Sequence, residues 1–358
     1  MAVTKSIQVG NLVLGGGAPV VIQSMLSRPS TDREGNLEQA RRLAAAGCQM
    51  IRTAVPDQAA VSLIPALKEA TGLPIVADIH FDYRLAIEAA YAGADKIRLN
   101  PGNIGSADRV AQVAKVCREK GIPIRVGANT GSLSKEVLAR FGGPTPLALA
   151  ESALEQVALL ERWDFDQIVL SVKASHVATM VEACRIIHSR SPYPQHLGVT
   201  EAGTPRMGVI KSAIGLGALL LEGIGDTIRV SLTADPVEEV RAAQDILAAV
   251  GLLPRPQLVS CPTCGRCRVD LMPLAAQVEE LLTRYRRPMT VAVMGCAVNG
   301  PGEARQADLG IAGGDGCFLL FQHGEVLRRV TQEGALEALR QELDRLEEGW
   351  KWDEGVQQ

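Results

Sequence analysis

Aromatic side chains are scarce: five Phe, four Tyr and three Trp make up 3% of the 358 residues. With a formal net charge of −3, the chain offers no basic, aromatic-rich surface for stacking bases, which excludes nucleic acid as a partner. The one local basic run, Arg284-Tyr-Arg-Arg287, reads as a solvated helix end. Long apolar runs are missing too. No stretch reaches the ~20 residues that cross a bilayer, and the opening Met1-Ala-Val-Thr-Lys-Ser6 lacks the apolar core of a signal peptide. Histidine is sparse, with five in all and only His323 after His196, so a metal held by the C-terminal part must find other donors. There is no disulfide framework either. Cys48, Cys117, Cys184 and Cys317 sit singly among apolar neighbours, as buried free thiols do. A soluble protein of a reducing, cytoplasmic compartment is expected.

The remaining four cysteines are not scattered. Cys261-Pro-Thr-Cys264 is followed by Gly295-Cys296-Ala-Val-Asn-Gly-Pro-Gly-Glu303. Three thiolates can come from Cys261, Cys264 and Cys296, and the Gly/Pro-rich turn can return Glu303 as an oxygen ligand. Thiolates favour iron–sulfur clusters or zinc over harder cations. A three-sulfur set completed by a carboxylate leaves one iron more weakly held and open to a substrate oxygen. Two other readings stand beside this one. Structural zinc uses the same thiolates but usually closes with a fourth Cys or a His, and Cys264-Gly-Arg-Cys267 also has dithiol spacing. Cys267 further makes the run resemble the start of a ferredoxin-type motif.

Between residues 20 and 250, short β-rich runs alternate with segments of three- and four-residue apolar spacing. Strands are expected at 20–25, 50–55, 75–79, 96–100, 124–129, 167–173, 196–201 and 227–232. Several of the intervening helices end in glycine just before the next strand. Eight β–α units in about 230 residues match a (β/α)₈ TIM barrel; an open doubly wound sheet is the runner-up. Residues 7–14 alternate around Gly10-Asn11 as a hairpin, expected to cover the barrel's lower mouth. Residues 251–257, with two prolines, read as a linker. Two domains are therefore expected: the barrel over 1–250, and a small α/β domain over 251–358 holding both cysteine clusters. Helices near 271–284 and 336–347 and strands at 290–295 and 318–322 are expected in the second.

The strands carry arginines in apolar settings: Ile51-Arg52-Thr, Ile97-Arg98-Leu, Ile124-Arg125-Val and Ile228-Arg229-Val. A buried charge is costly unless paired. Asp78, Glu201 and Asp226 are the candidate partners, and Lys173 adds a further cation. The excess positive charge calls for an anion, and arginine's planar fork suits phosphate oxygens. Strand ends at the C-terminal face form the active site of such barrels. Asn100, Asn129, His80 and Ser231 collect there, since residues two apart share a strand face. Glu201, surrounded by cations, is the candidate for proton transfer.

These residues resemble one family over essentially the whole chain: the bacterial 4-hydroxy-3-methylbut-2-en-1-yl diphosphate synthases of the non-mevalonate isoprenoid pathway. The matching segments are Val76-Ala-Asp-Ile-His-Phe-Asp-Tyr-Arg84, Lys96-Ile-Arg-Leu-Asn100, Ser171-Val-Lys-Ala-Ser175, Val199-Thr-Glu-Ala-Gly203, the run from Gly223 to Thr233, and both cysteine motifs. The resemblance implies a [4Fe–4S] cluster on Cys261, Cys264, Cys296 and Glu303. It implies two-electron reductive opening of 2-C-methyl-D-erythritol 2,4-cyclodiphosphate with loss of water, and ferredoxin or flavodoxin as donor. It assigns Arg52, Arg98, Arg125, Lys173 and Arg229 to the diphosphate, helped by Asn100, Asn129 and Ser231, and Glu201 to the proton step. Cys267 and Leu26 depart from the family pattern as known; Cys267 reads as an idle neighbour. The last barrel helix delivers a linker of ~25 Å reach to the face opposite the site, so a head-to-tail homodimer is expected, as the resemblance also implies.

Overall fold

The computed structural model describes residues 3–100, 104–296 and 304–350. The chain divides after Leu252 into two compact units. Among the described residues, no helix is long and apolar enough to cross a membrane.

The first unit opens with the hairpin β1 (Ile7–Val9) and β2 (Leu12–Leu14). Eight parallel strands follow: β3 (Val21–Met25), β4 (Met50–Ala54), β5 (Ile75–Ile79), β6 (Lys96–Leu99), β7 (Ile124–Asn129), β8 (Ile168–Lys173), β9 (His196–Leu197) and β10 (Thr227–Ile228). They lie in the order β8-β7-β6-β5-β4-β3-β10-β9, and a parallel bridge from Leu170 to Gln195 joins the two ends into a barrel. Among the described residues, these helices lie between or after the strands: α1 (Arg33–Ala45), α2 (Gln58–Thr71), α3 (Tyr83–Tyr91), α4 (Ala107–Lys120), α5 (Lys135–Phe141), α6 (Pro146–Glu161), α7 (Val177–Arg190), α8 (Pro205–Leu221) and α9 (Pro236–Ala249). Their ends follow local chemistry. The Asp57 carboxylate accepts from the Ala60 N–H at the start of α2, and Gly72, at φ 68°, closes it in a left-handed conformation that costs a glycine little. The TIM-barrel expectation holds.

The hairpin plugs the barrel's N-terminal mouth. Ile7, Val9 and Leu14 pack against Val21, Met50, Val76 and Val169 from the beginnings of four strands. Burying each of the three hairpin side chains is worth roughly 1.5–3 kcal/mol. The seventh and eighth barrel strands are shorter than expected, with ladders ending at Leu197 and Ile228. Just past β9 the backbone runs close to its neighbours: a Cβ on Gly198 would stand 2.7 Å from the Arg229 carbonyl oxygen and 3.0 Å from Lys173 Nζ.

The second unit is a five-stranded sheet in the order β11 (Gln257–Ser260), β12 (Thr290–Met294), β13 (Leu309–Gly313), β14 (Cys317–Gln322) and β15 (Glu325–Thr331). The first three strands are parallel and the last two antiparallel. Helices α10 (Leu271–Leu282) and α11 (Ala335–Glu348) bury Leu274, Val278, Leu339 and Leu343 against Val291, Val293, Leu309 and Ile311. The sequence reading expected the two helices but only two of these strands, and Gln257, assigned to the linker, begins β11.

Candidate active site

Strand register sets the pocket. Asp78 on β5 stands opposite Arg98 on β6, and Arg98 opposite Arg125 on β7, while Asn129 stands opposite Lys173 on β8. Alternation along β7 turns Arg125, Gly127 and Asn129 to one face. They line a cavity together with Arg52, Arg98, Ser171 and Lys173. Gly127 is required there: a Cβ would fall 1.7 Å from the Ser171 carbonyl oxygen.

Asp78, fully buried, accepts from Arg52 Nη2 at 2.6 Å and from Arg98 Nη1 at 3.2 Å. Burial alone would raise its pKa, but the two guanidinium groups reverse that and bring it down to about 2. His80 Nε2 stands 3.7 Å from the same carboxylate, with its side chain half exposed. Arg229 Nη2 lies 3.5 Å from Glu239 Oε2, a partner on α9. No carboxylate is paired with Arg125 or Lys173 among the described residues. Burial disfavours the charged form of both; Arg52 and Arg98 add to this for Arg125, and Arg229 and Arg125 for Lys173. A guanidinium starts so high that it stays charged, so its cost appears as a demand for an anion. Arg125 Nη1, Arg52 Nε and Arg229 Nε are buried without a partner among the described residues. Formally, five cations face two buried carboxylates, a surplus of three.

The other barrel positions are placed as follows. Asn100 is buried one residue past β6, and Ser231 is half-buried two residues past Arg229. Glu201 is exposed and holds φ 51°, a left-handed conformation unusual for a non-glycine residue. Such strain concentrates at functional sites. Asp226 requires a correction. It does not meet the arginines but ties down the opposite end of the barrel, accepting from Thr4 Oγ1 at 2.8 Å and from the Gln195 N–H at 2.7 Å. The partner it was expected to supply is Glu239.

Beneath the pocket lies a second polar tier. Lys96, fully buried one inward position below Arg98, has its Nζ 3.0 Å from Met50 Sδ. His196, also fully buried, faces Thr227 Oγ1 at 3.4 Å, and its Nε2 has no partner among the described residues. Burial, reinforced by neighbouring cations, holds both groups well below their ordinary pKa.

In the second unit, the parallel register of Ser260 with Val293 puts Cys261, after β11, and Cys296, after β12, at one end of the sheet. Gly295 draws the two loops together. Its N–H donates to Cys261 Sγ at 3.2 Å, and its carbonyl accepts from the Arg268 N–H at 2.9 Å. Cys264 is exposed, and hydrogen bonds from the Arg266 backbone and side chain lower its thiol pKa. Cys267 lies beside the same loops: its thiol donates to the Val269 carbonyl at 3.2 Å, and a Cβ on Gly295 would stand 2.6 Å from its Sγ. Glu303 lies outside the described residues, and among those described no three His, Cys, Asp or Glu side chains form a ready metal set. The donor chemistry nonetheless fits an iron–sulfur group. Free thiols on adjoining loops, one already accepting an N–H bond, are what such clusters take from a protein.

A family model described as the GcpE TIM-barrel domain matches residues 4–244, and one described as the GcpE protein C-terminal domain matches 257–345. The chain belongs to the GcpE family. Curated relatives share nearly its whole length. One from Clostridium perfringens, named 4-hydroxy-3-methylbut-2-en-1-yl diphosphate synthase (flavodoxin), is 53% identical over 337 residues, covering 94% of this chain and 97% of its own. Proteins of the same name from Caldanaerobacter subterraneus and Geobacillus thermodenitrificans are 51% and 49% identical, covering 96% of this chain and 97% and 92% of their own.

Sequence reasoning missed several residues of this GcpE barrel. Ser171 and Gly127 could have been found, being two positions from Lys173 and Arg125 on the same strand faces. Glu239 carried no such signal, because Glu238-Glu239 after Pro236 reads as an ordinary acidic first turn of a helix.

Proposed function

We propose that the barrel binds 2-C-methyl-D-erythritol 2,4-cyclodiphosphate and that the enzyme opens its ring reductively to 4-hydroxy-3-methylbut-2-enyl diphosphate. Two electrons and one proton enter and one water leaves, so a substrate with two negative charges gives a product with three. The relatives' names support this activity and flavodoxin as electron donor. The observation that carries it is the surplus of buried cations, above all Arg125 and Lys173, which lack a carboxylate among the described residues.

Arg125 and Lys173 take phosphate oxygens directly. Arg52 and Arg98 are held in place by Asp78 and contribute from one side of the pocket, and Arg229 from another. Asn100, Asn129 and Ser231 add neutral donors, and His80 reaches the rim. Glu201 delivers a proton to the hydroxyl that leaves as water. Cys261, Cys264 and Cys296 would hold a [4Fe–4S] cluster, with Glu303 as the fourth ligand, and when bound it would pass on, one at a time, the two electrons of the reduced donor. Cys267, its thiol bonded to the Val269 carbonyl, stays outside that set. In this reading residues 1–250 form the substrate domain and residues 251–358 the cluster domain, which serves a partner's barrel in a head-to-tail dimer.

Anaerobically purified protein should contain iron and sulfide and convert the cyclic diphosphate with reduced flavodoxin, followed by phosphorus NMR. Iron-loaded protein inactive with both flavodoxin and ferredoxin would overturn the reading, and zinc in place of iron would favour a structural role for the cysteines. Mixing Cys296→Ala with Arg125→Ala should restore activity in mixed dimers; no recovery would count against the shared site.

A further inference from the structure

Arg229 draws its counter-charge from a different layer of the barrel than the other paired cations do. Arg52 and Arg98 share Asp78 on the strand between them, whereas Arg229 is met by Glu239 from helix α9. Glu239 is 4% exposed and makes three contacts. Its Oε2 faces Arg229 Nη2 at 3.5 Å and accepts from Ser24 Oγ at 3.4 Å, and its Oε1 accepts from the Leu232 N–H at 2.9 Å. Ser24 lies on β3, while Arg229 and Leu232 follow β10, the neighbouring strand. One carboxylate therefore ties both strands to the helix at this seam. The bond to Leu232 fixes the main chain beside Ser231, and the ion pair fixes the guanidinium through one nitrogen. Arg229 Nε remains buried with no partner among the described residues.

We propose that Glu239 is a positioning residue that orients Arg229 and the adjoining Ser231 toward the substrate's phosphate oxygens. The inference rests on the reading of Arg229 as a phosphate contact. A carboxylate that merely fastened α9 to the barrel would affect folding and leave substrate affinity alone.

Glu239→Gln keeps the shape and an acceptor for the Leu232 N–H but removes the charge facing Arg229. In cluster-loaded enzyme it should raise KM for the cyclic diphosphate about tenfold, as expected for a lost charge-assisted contact, with kcat within about twofold. In the Arg229→Ala background the same change should have no further effect, because the two act as one unit. Ser24→Ala, which removes a single weaker contact, should raise KM in the same direction by a smaller factor. It keeps the test open if Glu239→Gln fails to fold. An unchanged KM in Glu239→Gln, or an effect that persists in the Arg229→Ala background, would overturn the inference alone. A wild-type KM in Arg229→Ala itself would overturn the phosphate role of Arg229, and this inference with it.

Discussion

Replacing Asp78 by Asn should destabilise the barrel by an amount the structure fixes. The carboxyl falls from its ordinary 3.8 to about 2 in the fold, a drop worth roughly 2 kcal/mol at ~1.36 kcal/mol per unit. Removing it also leaves Arg52 and Arg98 facing each other without their shared acid. Breaking one side of a buried pair costs roughly 3–5 kcal/mol. The loss at pH 7 should thus lie between about 2 and 5 kcal/mol, a fall in Tm of about 5–15 °C for a unit of this size. The sign of the pH dependence is fixed too. Asp78 has a folded pKa below its unfolded one, so its contribution is complete above about pH 4 and disappears as pH falls through 2. Urea unfolding followed by far-UV circular dichroism on wild type and Asp78→Asn should show a gap that shrinks to about half by pH 3. Equal stabilities at pH 7, or a gap unchanged at pH 3, would refute the ion-pair account.

Three further outcomes follow from the same interior. Lys96→Met removes a buried amine whose nearest polar contact is a thioether and should raise stability by about 1–3 kcal/mol; a lower Tm would contradict this. His196 is held neutral in the fold, so stability should fall as pH drops below about 6.5, by up to ~1.4 kcal/mol per unit. His196→Gln should flatten that slope in urea midpoints measured from pH 7.5 to 5, and parallel slopes would count against the burial of a neutral imidazole. Gly198→Ala puts a methyl within 3.0 Å of Lys173 Nζ and 2.7 Å of the Arg229 carbonyl. Displacing these groups by about 1 Å should cost up to ~100-fold in kcat/KM, and wild-type kinetics would show that the pocket tolerates the shift.

The barrel was legible because its pattern repeats. Each expected strand is short and apolar, and each helix between strands buries one face, so eight units announced themselves without any single strong signal. The cationic pocket was legible for a related reason, since an arginine between Ile and Val is costly unless the fold provides for it. Asp78 was found as the counter-charge those arginines need, and it pairs with both Arg52 and Arg98. What escaped was set by contacts distant in sequence. Glu239 reaches Arg229 across the seam from a helix turn whose composition looks ordinary. Asp226, nearer to Arg229 in sequence, points instead to Thr4 at the opposite mouth.

In the second unit the misses have local causes. β13 contains Gly310 and Gly313, which weaken a strand signal. Yet a Cβ on Gly310 would lie 2.4 Å from the Phe321 ring of the neighbouring strand, so the glycine marks close packing within the sheet. β15 is an edge strand, exposed along nearly its whole length and paired only with β14. Its Arg328-Arg329 therefore show no apolar alternation, and charge on an edge is itself protective against sheet-to-sheet pairing. The cysteine spacing was plain in the sequence. Cys267 was set aside there by counting ligands, and in the structure its thiol is turned onto the Val269 carbonyl.

The most direct test of the central claim, that barrel cations without carboxylate partners seat a diphosphate, is calorimetric titration of the protein with 2-C-methyl-D-erythritol 2,4-cyclodiphosphate. Wild type should bind with an affinity that falls as salt rises, and Arg125→Met and Lys173→Met should each lose at least about tenfold while remaining folded. Folded Arg125→Met and Lys173→Met proteins that bind as tightly as wild type would contradict it.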